Sequence, residues 1–137
     1  MTNIVVVSHG DFCRALIEAA GMIIGPLQDV HAVVLLPQDS PDLFDAKLEA
    51  TLAGLEGQDT LILIDLFGGT PFNVSCRKVL LPNVECITGV NMAMLIEALS
   101  SRDSMSLGGL AAHVVEAGLN SIVNVKPLLC KKPEAGA

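Results

Sequence analysis

Short apolar runs recur along the chain, separated by longer amphipathic segments. Residues 3–8 read Asn-Ile-Val-Val-Val-Ser, a β-branched run that is apolar on both faces and too short for a helix. Comparable runs lie at 30–36, 61–65 and 84–88. Strands that are apolar on both faces are typical of parallel sheets covered on both sides. We therefore expect four buried parallel strands.

The segment between the first two runs has helical periodicity. Phe12, Leu16 and Ile23 fall at helical spacing, and Gly-Pro at 25–26 ends the pattern. Asp11 stands directly before the first of these positions and is a residue type that caps helices. The pattern predicts a helix that Asp11 caps and that ends at residue 24.

Two other helix starts consist of a hydroxyl residue followed by proline. Ser40 and Thr70 each stand directly before a proline. This pair suits an N-cap and the first helical residue, where the missing amide hydrogen of proline costs nothing. Ser40 predicts a helix that runs to about residue 55, and Thr70 predicts a helix soon after the third strand.

The last third of the chain contains two further helical segments and a final strand candidate. Asn91 can cap a helix over residues 92–99, and residues 107–117 form another helical pattern. Residues 121–125 predict a last strand.

Strands that alternate with helices predict an α/β fold. We expect a doubly wound, mostly parallel sheet in the order 2-1-3-4, with helices on both faces. A length of 137 residues suits one domain. We assign that domain to residues 1–126 and expect residues 127–137 to be a flexible C-terminal tail.

Charge and composition narrow the range of functions. The chain has 8 Lys plus Arg against 15 Asp plus Glu, a formal net charge of -7, so no basic surface favours nucleic acid or anionic lipid. Only 3% of the residues are aromatic, which leaves few rings for stacking on bases. We therefore expect no nucleic-acid partner.

The cysteines and the start of the chain point to a reducing compartment. The four cysteines are widely spaced, and none forms the paired spacing of a zinc site. The longest apolar run near the start, residues 4–7, is far shorter than the roughly 18 residues of a membrane span. We expect a soluble cytoplasmic protein that uses no metal and no cofactor.

Three polar residues follow strands at one edge of the predicted sheet. His9 follows the first strand, Asp65 ends the third, and Asn91 follows the fourth. If the first and third strands are neighbours, the Asp65 carboxylate faces His9, fixes its tautomer and leaves the other ring nitrogen as a nucleophile. His9 is then a candidate phosphoryl acceptor. A packing histidine and a plain helix cap at Asn91 are the alternatives.

The loop after Asp65 is the second candidate feature. Gly68 and Gly69 allow backbone conformations closed to other residues, and Thr70 opens a helix whose first amides have no partner within the helix. These amides and the Thr70 hydroxyl could cradle a phosphoryl group on His9. An ordinary strand-to-helix turn is the alternative. The chain lacks the glycine-rich nucleotide motifs and the G-x-S-x-G elbow.

Four segments carry a family resemblance. They are Ser-His-Gly at 8–10, Met-Ile-Ile-Gly at 22–25, Asp-Leu-Phe-Gly-Gly-Thr-Pro-Phe-Asn at 65–73 and Thr-Gly-Val-Asn-Met-Ala-Met-Leu-Ile-Glu at 88–97. In this order, and over nearly the whole chain, the sequence resembles the IIA proteins of the mannose (mannose/fructose/sorbose) family of the bacterial phosphotransferase system.

The resemblance implies a phosphocarrier. His9 would accept a phosphoryl group from the histidine phosphocarrier protein HPr and pass it to a IIB protein or domain, which serves the IIC and IID membrane subunits. Asp65 would orient the His9 ring, and the turn at Gly68, Gly69 and Thr70 would help to bind the phosphoryl group. Position 66 is leucine, where some members have a hydroxyl, so backbone amides must do more here.

The resemblance also implies a homodimer in which a C-terminal strand is exchanged, which would place residues 121–125 on the partner's sheet. Three alternatives remain open. The chain could be a regulatory module that is phosphorylated on His9 without sugar transfer, the phosphotransferase subunit of a dihydroxyacetone kinase, or a small-molecule enzyme with His9 as its general base.

Overall fold

The computed structural model describes residues 1–130, and its sheet has the predicted order. Four strands, all parallel, lie side by side as β2-β1-β3-β4. They are β1 (Asn3–His9), β2 (Val30–Leu35), β3 (Thr60–Ile64) and β4 (Val84–Thr88). The predicted α/β class and strand order are confirmed.

Helices connect the strands and cover both faces of the sheet. They are α1 (Phe12–Ile24), α2 (Pro41–Ala53), α3 (Gly69–Ser75), α4 (Met92–Ser101), α5 (Leu107–Asn120) and α6 (Val125–Leu129), with a 3-10 helix, η1 (Cys76–Leu80), after α3. None of the helices in residues 1–130 combines the length and the apolar character that crossing a membrane requires.

The alternation of side chains along β1 explains why its sequence is apolar throughout. Ile4 and Val6 pack with residues of α1, α4 and α5, whereas Val5 and Val7 pack with residues of α2 and α3. All four side chains are fully buried. Each such burial contributes about 1.5–3 kcal/mol relative to an exposed position, so the central strand is anchored from both faces.

Two predicted helix caps are confirmed. The Ser40 hydroxyl accepts a hydrogen bond from the Leu43 amide at 3.1 Å, and the Asn91 side-chain oxygen accepts one from the Met94 amide at 2.9 Å. Each side chain satisfies a first-turn amide that has no partner within its helix. Both helices therefore begin where the sequence pattern places them.

Two other predicted caps are wrong. Asp11 occupies the N-cap position of α1 but makes no capping bond; the α1 amide of Cys13 donates instead to the Ser8 hydroxyl, at 2.9 Å. Thr70 is not the cap of α3, because that helix already begins at Gly69 and Gly68 takes the cap position. In both places, turn geometry set by the preceding strand outweighed the local residue preference.

The predicted strand at residues 121–125 does not form within one chain. The Ser121 amide and hydroxyl both donate to the Gly118 carbonyl, at 3.2 and 2.7 Å, so Ser121 closes the end of α5. Residues 122–124 pair with no strand of residues 1–130, and α6 follows. An apolar β-branched run forms a strand only where a neighbouring strand takes its backbone groups. The first residues assigned to the tail belong to α6, and residues 131–137 lie outside the described residues.

An ion pair between Asp39 and Lys47 holds the loop between β2 and α2. Asp39, whose side chain is only 2% exposed, accepts hydrogen bonds from the Leu36 amide at 2.8 Å and from Lys47 Nζ at 2.5 Å. Lys47 Nζ also donates to the Val34 carbonyl at 3.2 Å. The bond from Lys47 and the bond from the Leu36 amide lower the pKa of the Asp39 carboxyl group below its ordinary value of 3.8.

Replacing this carboxylate should destabilise the fold in a pH-dependent way. A group whose pKa is lower in the folded protein stabilises it above the unfolded pKa, and this stabilisation is lost as the pH falls through the folded pKa. We expect Asp39→Asn to lower the thermal unfolding midpoint at neutral pH, and the deficit to shrink below about pH 4. The control is Asp11→Asn, since Asp11 is 74% exposed in its ion pair. A deficit that stays constant with pH would contradict the role of the ion pair.

Candidate active site

The fold brings His9 and Asp65 together at the carboxyl edge of the sheet. His9 is the last residue of β1, and Asp65 directly follows β3. These strands pair in parallel with Val7 opposite Ile64, so the residues beyond both positions leave the sheet at the same edge. Asp65 stays in this ladder, because its amide donates to the Val7 carbonyl at 3.2 Å.

One carboxylate oxygen holds both the backbone and the ring of His9. Oδ2 of Asp65 accepts a hydrogen bond from the His9 amide at 2.9 Å and is 2.7 Å from His9 Nδ1. Since a carboxylate only accepts hydrogen bonds, this contact places the proton on Nδ1 and leaves a free lone pair on Nε2. The His9 side chain is 48% exposed, whereas that of Asp65 is only 15% exposed.

The glycine loop lies directly against the free nitrogen of His9. A Cβ atom at Gly69 would stand 3.0 Å from both Nε2 and Cε1 of His9, so no larger residue fits without moving the ring. Gly69 also has a φ of +80°, and Gly68 a φ of +133°, both in the region that favours glycine. This turn therefore requires glycine for its backbone conformation and for its approach to the ring.

Helix α3 begins at the same point. Its first amides, those of Gly69 and Thr70, belong to the part of a helix that has no internal partner, and Pro71 has no amide hydrogen to offer. Thr70 is partly exposed. Because Gly69 lies against Nε2, the start of α3 with its first amides is at this edge, and the Thr70 hydroxyl follows one residue further along the chain.

The second oxygen of Asp65, Oδ1, differs from the first in its surroundings. Oδ1 is buried and makes no hydrogen bond within residues 1–130. Both hydrogen bonds from His9 therefore converge on one oxygen. Oδ2 lies 2.7 Å from Nδ1, and a carboxylate at this distance favours any positive charge that develops on the ring.

Asn91, the third polar residue predicted at this edge, is a helix cap. Its side chain caps α4 and donates to the Ser121 hydroxyl at 3.2 Å. The other histidines lie elsewhere. His113 joins α5 to α4 through Glu97, with 2.9 Å between Nε2 and Oε2, and His31 is on β2 with its Nε2 buried.

The sequence pattern assigned no role to the hydroxyl of Ser8. This side chain is fully buried directly before His9, and it bonds both to the turn after His9 and to α1. A serine at the end of an otherwise apolar strand is the signal that could have identified it.

The nearest thiol does not compete as a nucleophile. Cys13 is fully buried in α1, and burial raises the pKa of its thiol. Burial likewise raises the pKa of the Cys86 thiol to about 12. Because the reactive form of cysteine is the thiolate, both side chains act as packing groups at neutral pH.

The contact between Asp65 and Nδ1 predicts the His9 tautomer. We expect long-range 1H–15N NMR of the neutral ring to show the proton on Nδ1. In Asp65→Ala, the proton on Nδ1 loses its acceptor, so the tautomer with the proton on Nε2 should appear in part of the population. The matched control is Glu97→Ala, which removes the partner of His113 and should leave the His9 tautomer unchanged. An unaltered His9 tautomer in Asp65→Ala would contradict this arrangement.

Comparison with known proteins identifies the family. Residues 3–115 match the family model described as "PTS system fructose IIA component". The chain is 35% identical over 137 residues to the Escherichia coli "PTS system mannose-specific EIIAB component", covering 98% of this chain but 42% of that relative's length. It is 32% identical over 109 residues to the Bacillus subtilis "PTS system fructose-specific EIIA component", covering 78% of this chain and 75% of the relative.

Solved structures agree with this match. The "Mannose/sorbose specific IIA subunit of phosphotransferase system" from Enterococcus faecalis superposes with a TM-score of 0.86 at 30% identity, covering 98% of both chains. The "phosphotransferase system component EIIA" from Streptococcus agalactiae gives a TM-score of 0.85 at 28% identity, covering 92% of this chain and 98% of that one. The predicted resemblance is confirmed: the chain belongs to the mannose-family IIA components of the phosphotransferase system.

Proposed function

We propose that the chain is a phosphocarrier for sugar uptake, in which His9 accepts a phosphoryl group from phospho-HPr and passes it to a histidine of a IIB protein. One observation carries this proposal. A half-exposed imidazole has Nδ1 fixed by Asp65 and a free Nε2 against the Gly69 turn. Membership of the IIA family supports the same role.

The transfer needs one bond to form and one to break. The Nε2 lone pair of His9 attacks the phosphorus of the donor phosphohistidine in line, the P–N bond of the donor breaks, and its electron pair returns to the donor imidazole. The His9 ring gains positive charge as the new bond forms, and the Asp65 carboxylate stabilises that charge. Transfer to IIB is the same step with His9 as the donor. Positioning supplies most of the catalysis, because similar bonds are exchanged.

The proposed phosphoryl site is the turn at Gly68, Gly69 and Thr70. We expect its backbone amides and the Thr70 hydroxyl to donate to the phosphoryl oxygens, and the contact between Gly69 and the His9 ring supports this proposal. Leu66 has no hydroxyl group to add and is 57% exposed. Binding of the phosphoryl oxygens therefore depends on the main chain of this turn more than on neighbouring side chains.

The partners follow from the same proposal. HPr is the donor, a IIB protein or domain is the acceptor, and the IIC and IID membrane subunits take part indirectly, so the protein works in the cytoplasm. The Escherichia coli relative is named an EIIAB component, and this chain spans 42% of its length. No observation favours the regulatory-module, dihydroxyacetone-kinase or general-base alternatives, and the relatives compared are named as components of sugar phosphotransferase systems.

The decisive experiment is phosphorylation with purified components. After incubation with phosphoenolpyruvate, enzyme I and HPr, intact mass and peptide mapping should show one acid-labile phosphoryl group on His9. His9→Gln should abolish this modification without unfolding the protein. His113→Gln is the matched control, since His113 also pairs a ring nitrogen with a carboxylate. A folded wild-type protein that takes up no phosphoryl group, or a His9→Gln variant that is still modified, would refute the proposal.

We also propose that the protein forms a homodimer through the segment at residues 121–125. The apolar side chains of Leu119 and Ile122 are 70% and 78% exposed, and they border a cavity of about 230 Å³ beside β4. The outer edge of β4 is unpaired within residues 1–130. An extended segment from a second copy could pair with this edge and cover the apolar surface, which would give residues 121–125 the strand partner that they lack in one chain.

A charge placed in this segment should separate the dimer. We expect wild-type protein to sediment as a dimer, and Ile122→Asp to raise the dissociation constant at least about tenfold because a carboxylate would be buried without a partner. Leu80→Asp is the matched control, since Leu80 is 86% exposed on η1. Sedimentation velocity over a range of concentrations measures the effect. A monomeric wild type, or equal effects of the two variants, would refute this dimer.

A further inference from the structure

The Ser8 hydroxyl makes two hydrogen bonds directly behind the phosphoryl-accepting residue. It donates to the Gly10 carbonyl at 2.9 Å and accepts from the Cys13 amide at 2.9 Å. Ser8 itself is fully buried, although it is polar and lies at the end of an apolar strand. The hydroxyl therefore has a backbone partner both as a donor and as an acceptor, and both partners lie within four residues after His9.

These two bonds fix the turn by which the chain leaves the sheet. Gly10 has a φ of +59°, and its amide donates to the Leu35 carbonyl at 2.8 Å. Asp65 holds the amide of His9, and Ser8 holds the carbonyl of Gly10. The backbone is therefore held at the His9 amide by Asp65, at the Gly10 amide by Leu35 and at the Gly10 carbonyl by Ser8, on both sides of the Cα atom that carries the imidazole.

The capping bond also ties α1 to the end of β1. Asp11 stands at the N-cap position but pairs with Arg14 at 3.2 Å instead of bonding the helix amides. A cap contributed by Asp11 would stabilise the helix but would not connect it to the sheet. The cap contributed by Ser8 joins the helix, the turn and the strand at a single atom next to His9.

We propose that Ser8 is a positioning residue for phosphoryl transfer: its hydroxyl fixes the turn after His9, so that Nδ1 meets Asp65 and Nε2 meets Gly69 before a partner arrives. The inference rests on the proposed phosphocarrier role. Misplacement of a reacting group by about 1 Å can slow a reaction on the order of 100-fold, so a loosened turn should be visible in the transfer rate.

Two substitutions separate the hydrogen bonds from the volume of the side chain. Ser8→Ala removes both bonds, and Ser8→Cys keeps a side chain of similar size with a weak donor and acceptor. Ser106→Ala is the matched control for a capping role alone, because the Ser106 hydroxyl accepts a bond from the Gly109 amide at 3.1 Å at the start of α5. Ser8→Cys also serves as the test variant if Ser8→Ala does not fold.

The readout is single-turnover transfer from phospho-HPr at increasing donor concentration. We expect Ser8→Ala to lower the maximal rate at least about tenfold with little change in the half-saturating concentration, because docking is intact and orientation is lost. Ser8→Cys should be impaired in the same way, and Ser106→Ala should transfer at the wild-type rate. Equal rates for folded Ser8→Ala and wild type, a wild-type rate for Ser8→Cys, or equal losses in Ser8→Ala and Ser106→Ala would overturn the proposal.

Ring NMR of the unphosphorylated protein separates failure of this inference from failure of the proposed function. We expect the Nδ1 proton of His9 to exchange faster, and the second tautomer to appear, in Ser8→Ala and Ser8→Cys but not in Ser106→Ala. If wild type accepts no phosphoryl group, the phosphocarrier role fails, and the His9 signals alone decide whether Ser8 positions the ring. Unchanged His9 signals in both Ser8 variants would overturn the positioning role whether or not phosphorylation occurs.

Discussion

The contact between one oxygen of Asp65 and two nitrogen atoms of His9 is the constraint around which the site is organised. The backbone bond fixes where His9 leaves β1, and the ring bond fixes how the imidazole faces. With the backbone bond alone, the His9 side chain could still rotate. With the ring bond alone, the end of β1 could still move. Together the two bonds fix the ring so that Nε2 is its free nitrogen. Because the ring is held in place, the backbone of the glycine turn at 68–69 can lie directly against it.

This contact exists because of the order of the strands. His9 and Asp65 are 56 positions apart in sequence, and they meet because β1 and β3 are adjacent while β2 lies on the other side of β1. The helical connections carry the chain over the two faces of the sheet, and the two apolar clusters hold those helices in place. The polar site therefore lies at the rim of the sheet, and the clusters on its two faces consist of apolar residues.

The parts of this arrangement that the sequence predicted are those in which local and tertiary preferences agree. The central strands β1 and β3 are apolar and buried on both faces, whereas the edge strands β2 and β4 are only partly buried. Ser40 and Asn91 cap α2 and α4, as their sequence context predicts. The failures have tertiary causes. Ser8 displaced Asp11 as the cap of α1, and Gly68 displaced Thr70 at α3. Residues 121–125 carry a strand pattern, but they pair with no strand within residues 1–130. No local preference could have revealed that the two bonds from His9 share one oxygen.

The partial exposure of His9 reconciles two requirements: the ring must be accessible to a partner, and its orientation must be fixed. In the proposed phosphocarrier role, two different proteins must reach the nucleophile, so it has to lie at the surface, and the His9 side chain is 48% exposed. Surface groups ordinarily sample several orientations, and each one lost on binding costs free energy. Both requirements are met when the groups that fix the ring lie on its buried side. Asp65 is largely buried and Ser8 is completely buried, so the imidazole can be oriented from below while its upper edge remains open to a partner. Because the transfer exchanges similar bonds, such ordering before docking contributes more to the rate than additional binding energy would.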